Sequence, residues 1–419
     1  MYSLAIYLYM FCVNIAALFN KKARLLKAGH SKTYKILRSG RQEGDRYLWF
    51  HAASLGEFEQ GRPLIEKIRE QHPQFKILLT FFSPSGYEVR KDYKGADICC
   101  YLPFDTMLNA KKFIRIAKPE MAFFIKYEFW LNYLSELHRR NIPTYSVASI
   151  FRPNQIFFRW YGHKYCKVLK CFTHLFVQNQ QSVSLLKRLD IDCATVVGDT
   201  RMDRVLQISQ AAKSLPLCEA FCRDLPANSH VVVAGSSWQP DEDILIDYFN
   251  NHSEQRLILA PHVVSEAHLA EIESKLRRPA LRYSKATAES ATQAHCLIID
   301  CYGLLSSIYR YATIAYVGGG FGAGIHNVPE AAVYGLPVII GPNNHKFREA
   351  TELIKLGGCF EVRDHQDYIS VITHLTTDSA FLQRACQVSH DYICANAGAV
   401  DKVYNSVFGN GQTNDEQPK

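Results

Sequence analysis

The 419-residue chain has no Cys-x-x-Cys pair, no His-Glu-x-x-His and no Cys/His cluster, so neither a structural zinc site nor a zincin-type centre is written into it. It also lacks a Gly-x4-Gly-Lys-Ser/Thr loop, which excludes the Walker-type triphosphate cradle. There is no sustained heptad, no glycine period and no series of long apolar spans, so coiled-coil, collagen-like and polytopic membrane classes are excluded. Charged residues are scarce at 21% against 47% apolar, a balance that builds cores instead of disorder. The 13 cysteines are an odd number set mostly in apolar runs, such as Cys99-Cys100 and Cys296. They read as inert, reduced thiols packed as small hydrophobes. The length suits two domains of about 200 residues, each able to bury its own core.

The net charge of +8 conceals an asymmetry. Residues 1–200 carry 30 Lys and Arg against 16 Asp and Glu, and the remainder 18 against 24. A basic half points to an anionic partner: nucleic acid, anionic lipid or a phosphorylated substrate. Nucleic acid is the poorest of these, because the basic residues do not interleave with aromatics in any recognised module.

Residues 1–20, MYSLAIYLYMFCVNIAALFN, are apolar apart from Asn14. No basic residue precedes them and no small-residue cleavage site is evident, unlike a signal peptide. Lys21, Lys22, Arg24, Lys27, Lys32 and Lys35 follow, and basic residues stay on the cytoplasmic side of a membrane. The expectation is a membrane anchor, crossing the bilayer or lying in its interface, with everything after it cytoplasmic. The competing reading is an N-terminal helix packed on its own domain.

Beyond residue 20, short β-rich runs alternate with helical stretches. Strands are expected at Tyr47–Ala52, Lys76–Phe82, Ile98–Leu102, Met121–Lys126, Thr144–Ser149, Leu175–Gln178 and Ala194–Val197. A second set is expected at His230–Ala234, Arg256–Ala260, Cys296–Ile299, Ile314–Val317, Pro337–Ile340 and Cys359–Val362. Their nearly unbroken apolar character predicts parallel sheets covered on both faces. The fold class is α/β: two doubly wound, Rossmann-like domains facing a cleft. We expect an anchor at 1–20, an N-terminal domain at 21–210, a C-terminal domain at 211–408 and a disordered tail at 409–419. Ligands in such sheets bind beyond the carboxyl ends of the strands.

Two segments at strand ends carry candidate chemistry. The first is His51-Ala-Ala-Ser54-Leu-Gly56-Glu57, which leaves a strand and opens a helix. Gly56 suits a tight turn. Glu57 is either a general base for an acceptor hydroxyl or a helix-first-turn acid favoured by the dipole. The second is Gly318-Gly319-Gly320-Phe-Gly-Ala-Gly-Ile-His326-Asn327-Val-Pro-Glu330. Its glycines either let the backbone approach a phosphate or close a tight α/β turn. His326 and Asn327 are placed for phosphate or base, and Glu330 for ribose hydroxyls. No acidic residue ends a strand about 20 residues on, so this is not the dinucleotide fingerprint. Smaller polar clusters at strand ends include Lys126-Tyr-Glu128, Gly198-Asp-Thr-Arg201, Gly235-Ser236-Ser-Trp238 and Pro261-His262. Asp190-Ile-Asp192 and Asp241-Glu-Asp243 have the spacing of a metal-binding DxD, but the first sits beside a strand and the second fits a helix first turn.

Trp49–Glu57, WFHAASLGE, resembles the H-A-x-S-x-G-E motif of the 3-deoxy-D-manno-octulosonic acid (Kdo) transferases. Gly318–Ala350 resembles their G-G-H-N-x-x-E-x-A-x-x-G-x-P-V-x-x-G-P segment, and YEFWLN at 127–132 and GDTRMD at 198–203 align more loosely. The resemblance runs over about residues 1–405. It implies a GT-B fold, in which the 21–210 domain binds the acceptor and the 211–408 domain the nucleotide-sugar, and an inverting, metal-independent glycosyltransferase without cofactor. Kdo would pass from CMP-Kdo to a hydroxyl of the lipid A precursor at the inner membrane, among anionic lipids. It implies Glu57 as general base and a donor site at Gly319, Gly320, His326, Asn327, Glu330, Ser236, Pro261 and His262. Ser54, Gly56, Lys126, Glu128 and Arg201 are then acceptor, phosphate or carboxylate contacts. The chain departs from the family pattern at Lys126, where the first acid of E-x-E-L-W-P-N stands, and at Leu131 in place of proline. It also departs at Ala260-Pro-His-Val-Val, which lacks the arginine of P-R-H-P, and at Ser236-Ser-Trp-Gln-Pro-Asp in place of S-T-H-x-G-E. Lys126, Arg201 or Lys346 is expected to supply the missing charge. Other readings are a UDP-sugar transferase, a nucleotide-sugar 2-epimerase, or a non-catalytic lipid- or nucleotide-binding protein.

Overall fold

The structure is a computed structural model and describes residues 2–162, 165–212, 214–226 and 228–409. The tail expected to be disordered lies outside the described residues except for Gly409. The chain divides into two compact units. Unit 1 comprises residues up to Arg204 and the segment from Ala397 onward; unit 2 is Val205–Asn396.

Unit 1 contains β1 (Arg46–Ala52), β2 (Phe75–Phe81), β3 (Ile98–Tyr101), β4 (Pro119–Ile125), β5 (Thr144–Ser149), β6 (His174–Val177) and β7 (Ala194–Val196). They pair in parallel in the order β3-β2-β1-β4-β5-β6-β7. The order reverses between β1 and β4. Alternate residues of β1 feed opposite cores, as a period-two strand must. Tyr47 and Trp49 join Phe113, Phe124 and Tyr133 on one face. Leu48, Phe50 and Ala52 join Ile65, Ile68 and Phe123 on the other.

The division differs from the expected one at the C-terminus. The helix Ala399–Phe408 buries Ala399, Val400 and Val403 in the unit 1 core beside the helix Leu55–Gln71. Asp203 helps seat it by accepting the Gly398 N–H at 2.8 Å. Its apolar positions gave no hint of which sheet they would cover.

The N-terminal residues form α1 (Tyr2–Ala16) and α2 (Lys21–Gly40), which meet at a bend of 119°. No single helix among the described residues is long and apolar enough to cross a membrane; this bent pair passes the same test only when taken together. Ile6, Met10 and Val13 pack α1 against Phe104 and Tyr101. Tyr2 ties its start by donating to the fully buried Asp105 at 2.6 Å. Leu4, Leu8, Phe11 and Ile15 remain exposed. His30 of α2 lies among the rings of Phe104, Tyr101 and Phe82, and burial pushes its pKa down to about 4.

Unit 2 contains β8 (His230–Ser237), β9 (Gln255–Pro261), β10 (Ala280–Arg282), β11 (Cys296–Ile298), β12 (Ile314–Val317), β13 (Val338–Ile340) and β14 (Cys359–Glu361). Its sheet is again parallel, in the order β10-β11-β9-β8-β12-β13-β14, and reverses between β8 and β12. The edge strand β10 was not expected. It is three residues long behind Pro279, too short to carry a pattern. Cys100, Cys296 and Cys359 are buried and burial raises their thiols, whereas Cys12 and Cys394 are exposed.

Val403→Asp puts an unpaired carboxylate into the unit 1 core and should destabilise that unit by about 3 kcal/mol or more. Urea unfolding followed by tryptophan emission reads this, since Trp49, Trp130 and Trp160 lie in unit 1.

Candidate functional site

In a doubly wound sheet, the helices after the two strands at the reversal leave on opposite faces, so the carboxyl ends of those strands stay open. Each unit therefore has one crevice, and each crevice holds one of the two segments singled out in the sequence.

In unit 1, β1 ends at Ala52, and the carbonyl of Ala53 accepts the N–H groups of Phe82 and Ser83 at 3.2 and 2.7 Å, fixing the loop to the end of β2. Ser54 is the N-cap of α3 (Leu55–Gln71). Its hydroxyl makes no cap hydrogen bond and donates instead to the Glu57 carboxylate in the first turn. Gly56 does not make the expected tight turn. It lacks a positive φ, and an added Cβ would meet only the Ser54 hydroxyl at 3.8 Å. What the glycine leaves is bare, exposed backbone beside Glu57 and the free N–H groups of α3.

Beneath this loop lies a buried polar network. His51 is fully buried, with Nδ1 2.9 Å from Thr80 Oγ1 and Nε2 3.1 Å from Glu128 Oε2. Trp130 donates its indole N–H to the same Glu128 oxygen at 2.6 Å, and Trp49 donates to Thr80 Oγ1 at 2.8 Å. Glu128 is thus a largely buried acceptor that joins β1 to the loop after β4. The motif alone gives His51 no role, although a histidine ending an apolar strand needs buried partners.

Lys126 directly follows β4 with φ +63°, and Ala148 in β5 has φ +57°. Both are non-glycine residues in the left-handed region, a strain typical of functional strand ends. The Lys126 N–H donates to Val147 O and the Ser149 hydroxyl to Lys126 O, which holds the two ends together. Arg201 pairs with Asp199 at 2.7 Å. Burial alone would raise the Asp199 carboxyl, but Arg201 and Lys126 hold it below its usual range. Two cations therefore flank one carboxylate near these strand ends.

In unit 2, Ser236 near the end of β8 has φ +53°. Asp241, fully buried, accepts the N–H groups of Trp238 and Gly319 on Oδ2, each at 2.9 Å, and the Tyr316 hydroxyl on Oδ1 at 2.7 Å. This carboxylate clamps the loop after β8 to the loop after β12. Its partners are N–H and O–H donors, so it is occupied as a structural acceptor. Gly318 passes so close to β8 that a Cβ would lie 2.5 Å from Ser236 O, and Gly319 has φ +93°. Gly320 abuts Gly341, where the chain leaves β13.

His326, His262 and Trp238 form one stack. The imidazoles are 4.6 Å apart and His262 lies 4.7 Å from the Trp238 ring. The Trp238 indole donates to His326 Nε2 at 3.2 Å. Burial, and next the neighbouring His262, hold the His326 imidazole below its ordinary pKa, with Asp241 opposing. A cavity of about 400 Å³ opens beside them, lined by Trp238, Pro240, Asp241, Gly319, Phe321 and His326. Asn327 donates to Glu330 Oε1 at 2.7 Å, while its own buried Oδ1 has no partner. Pro261 ends β9, and the His262 N–H donates to Ser237 O at 2.9 Å. The helix after the glycine loop is Val328–Ala332. Lys346 is exposed in the turn after β13. The sequence places Trp238 in a strand-end cluster and Asp241 in a helix first turn, but not the stack or the clamp that they make. The available signal was Trp-Gln-Pro-Asp directly after a strand, which places Pro and Asp in a helix first turn.

Residues 25–204 match the sequence model of the family described as 3-deoxy-D-manno-octulosonic-acid transferase (kdotransferase). The chain is 27% identical over 338 residues to the 3-deoxy-D-manno-octulosonic acid transferase of Aquifex aeolicus, covering 78% of this chain and 85% of that protein. It is 25% identical over 352 residues to the Rickettsia felis enzyme of the same name, covering 80% and 73%. Among solved structures it is similar to UDP-GlcNAc 2-epimerase from Neisseria meningitidis, with a TM-score of 0.61 at 13% identity, covering 87% of this chain and 100% of that one. The Methanocaldococcus jannaschii UDP-GlcNAc 2-epimerase gives 0.55 at 13%, covering 83% and 99%. At that identity the two structures share the fold alone.

Asp241→Ala leaves three donors without their acceptor, at about 1–3 kcal/mol for each that is buried. It should lower stability by about 3 kcal/mol or more and speed amide exchange at Gly319, whereas Tyr316→Phe should cost about 1 kcal/mol. Denaturant titration and hydrogen exchange check both.

Proposed function

We propose that the chain is a member of the Kdo transferase family, whose sequence model matches residues 25–204, and that it moves Kdo from CMP-Kdo to a hydroxyl of the lipid A precursor, with inversion and without a metal, in the manner of a GT-B enzyme. The observation that carries this reading is that both family segments occupy the reversal crevice of their own sheet, one offering a carboxylate and the other a glycine loop. The epimerases share the fold at 12–13% identity, whereas the sequence relatives are transferases.

In this reading the acceptor hydroxyl gives its proton to Glu57 as its oxygen attacks the anomeric carbon of Kdo, and CMP leaves with the bonding electron pair. Ser54 orients the carboxylate through its hydroxyl. Lys126 and Arg201 supply positive charge for the Kdo carboxylate or an acceptor phosphate. On the donor side, Asn327 Oδ1 and Glu330 accept from ribose hydroxyls, and Ser236 and the Gly319–Gly320 backbone face the phosphate. His262 and His326 take the place of the family's arginine. The developing negative charge on CMP is then met by preorganised donors, the usual source of stabilisation in such a step.

The acceptor is a membrane lipid, and α1 is suited to lie in the bilayer interface. At 15 residues it is about 22 Å long, against about 30 Å of hydrocarbon. One face packs on unit 1 and the other presents Leu4, Leu8, Phe11 and Ile15, followed by the basic start of α2. The catalytic units would then stand on the cytoplasmic side.

Glu57→Gln should bind CMP with wild-type affinity and lose about 10²–10⁴-fold in transfer. Mass spectrometry of tetraacylated lipid A precursor incubated with CMP-Kdo reads both the activity and the number of sugars added. Normal turnover by the variant removes Glu57 as base, and no mass gain with the wild type removes the function.

His326 is held below its ordinary pKa in the free protein, and a bound phosphate favours its imidazolium. The complex then holds more proton than the free protein, so CMP affinity should rise as pH falls from 8 towards that lowered value and level off below it. The limit is about tenfold per pH unit for one coupled proton. Calorimetry in buffers of different ionisation enthalpy should show proton uptake, absent in His326→Asn.

A further inference from the structure

We propose that residues 156–161 form a second membrane contact, set beside the start of α1, that places the aromatic pair Trp160 and Tyr161 in the interface of an anionic bilayer. The proposal rests on the reading of α1 as an interfacial helix.

Trp160 is 90% exposed and Tyr161 63%, the former the most exposed large apolar side chain of the described residues. They are not on a loose loop. The Arg159 N–H donates to Ile156 O and the Gly162 N–H to Arg159 O, and a Cβ at Gly162 would fall 1.8 Å from Ile156 O. Phe157 turns inward against Phe129, Phe151 and Tyr165. The turn thus buries one aromatic as its root and displays two others, with Ile156, itself 47% exposed, beside them. Displaying an indole and a phenol to water is unfavourable, while the headgroup region of a bilayer suits both.

The location follows from two ring contacts. Tyr165 stacks on Phe157 at 5.5 Å and lies 5.8 Å from Tyr2, the first residue of α1. The turn therefore adjoins the end of the helix whose outer face is already apolar.

Charge identifies the surface. The two longest stretches of the chain without Asp or Glu are residues 137–189 and 1–42. The first contains this turn, with Arg152 and Arg159 exposed before and within it and Lys167 and Lys170 exposed further along the same stretch, and the second is the α1–α2 pair. Basic side chains around an aromatic tip match anionic headgroups around an apolar interior. A protein partner would account for the aromatics, but not for two acid-free segments meeting at one edge.

The test uses the full chain and vesicles of phosphatidylcholine with phosphatidylglycerol, some carrying brominated acyl chains, which quench indole on contact. Wild-type protein should sediment with the vesicles and lose emission on the brominated ones. Trp160→Phe should sediment equally and lose most of that quenching. Trp160→Ala/Tyr161→Ala should need at least about threefold more lipid for half-sedimentation, and phosphatidylcholine alone should bind every form weakly. If wild type sediments but Trp160→Phe is quenched as strongly, the turn does not enter the bilayer, and the interfacial reading of α1 stands. If Leu8→Lys/Phe11→Lys also leaves sedimentation unchanged, that reading of α1 falls as well. No sedimentation of the wild type overturns both. Light scattering that shows a dimer without lipid, lost in the Trp160/Tyr161 variant, makes the surface a protein interface and overturns the proposal.

Discussion

A parallel strand cannot pair with its successor through a tight turn. The chain must return over one face of the sheet, and here that constraint governs both units. Where successive crossovers change face, two neighbouring strands lose the helix that would cover their carboxyl ends. Unit 1 loses it between β1 and β4, unit 2 between β8 and β12. The open ends must then be closed by backbone that is short, crowded and polar. That is why glycines crowd after β12 and why Lys126, Ala148 and Ser236 take left-handed conformations at strand ends.

Loops of this kind hold their shape only if something fixes them from below. Each unit uses a buried carboxylate for that purpose. Glu128 receives the Trp130 indole and faces the His51 ring, so the loop carrying Glu57 sits on a floor that also includes Thr80. Asp241 receives two backbone N–H groups and a phenol, so the glycine loop cannot drift from the end of β8. Neither carboxylate need touch a ligand to matter. Rigid positioning of the groups above them is what lets hydrogen-bond donors act without reorganising.

Much of this architecture was legible because continuous apolar runs in an α/β alternation have few other solutions. Twelve of the strands lie within two residues of where hydropathy places them, the usual uncertainty of element ends, and β8 runs three residues further, to Ser237. The exception, β10, is an edge strand of three residues, below the length at which alternation carries information. The helix Ala399–Phe408 was assigned to the wrong unit because its partner is a tertiary fact: Val403 says only that it is buried, not beneath which sheet. At the sites, Glu57 and the glycine loop were visible as motifs, and their local geometry follows from a strand running into a helix. Glu128 and Asp241 were not readable in the same way. A carboxylate that caps buried donors and one that meets a ligand look alike until its neighbours are known.

The N-terminal helix shows the same limit. Twenty apolar residues satisfy the length for crossing a bilayer as well as they satisfy burial. Folding divides them differently: α1 stops at Ala16, and the chain bends by 119° into the basic α2. Ile6, Met10 and Val13 are then committed to Phe104 and Tyr101, and Tyr2 to Asp105. Crossing a membrane would require withdrawing this face from its own domain and exposing the core it covers. Lying in the interface needs no such exchange, because the inner contacts persist while Leu4, Leu8 and Phe11 leave water. The packing that keeps α1 on unit 1 is therefore the packing an interfacial helix, as proposed, would retain, and it ties α1 to the same unit that carries the Glu57 loop.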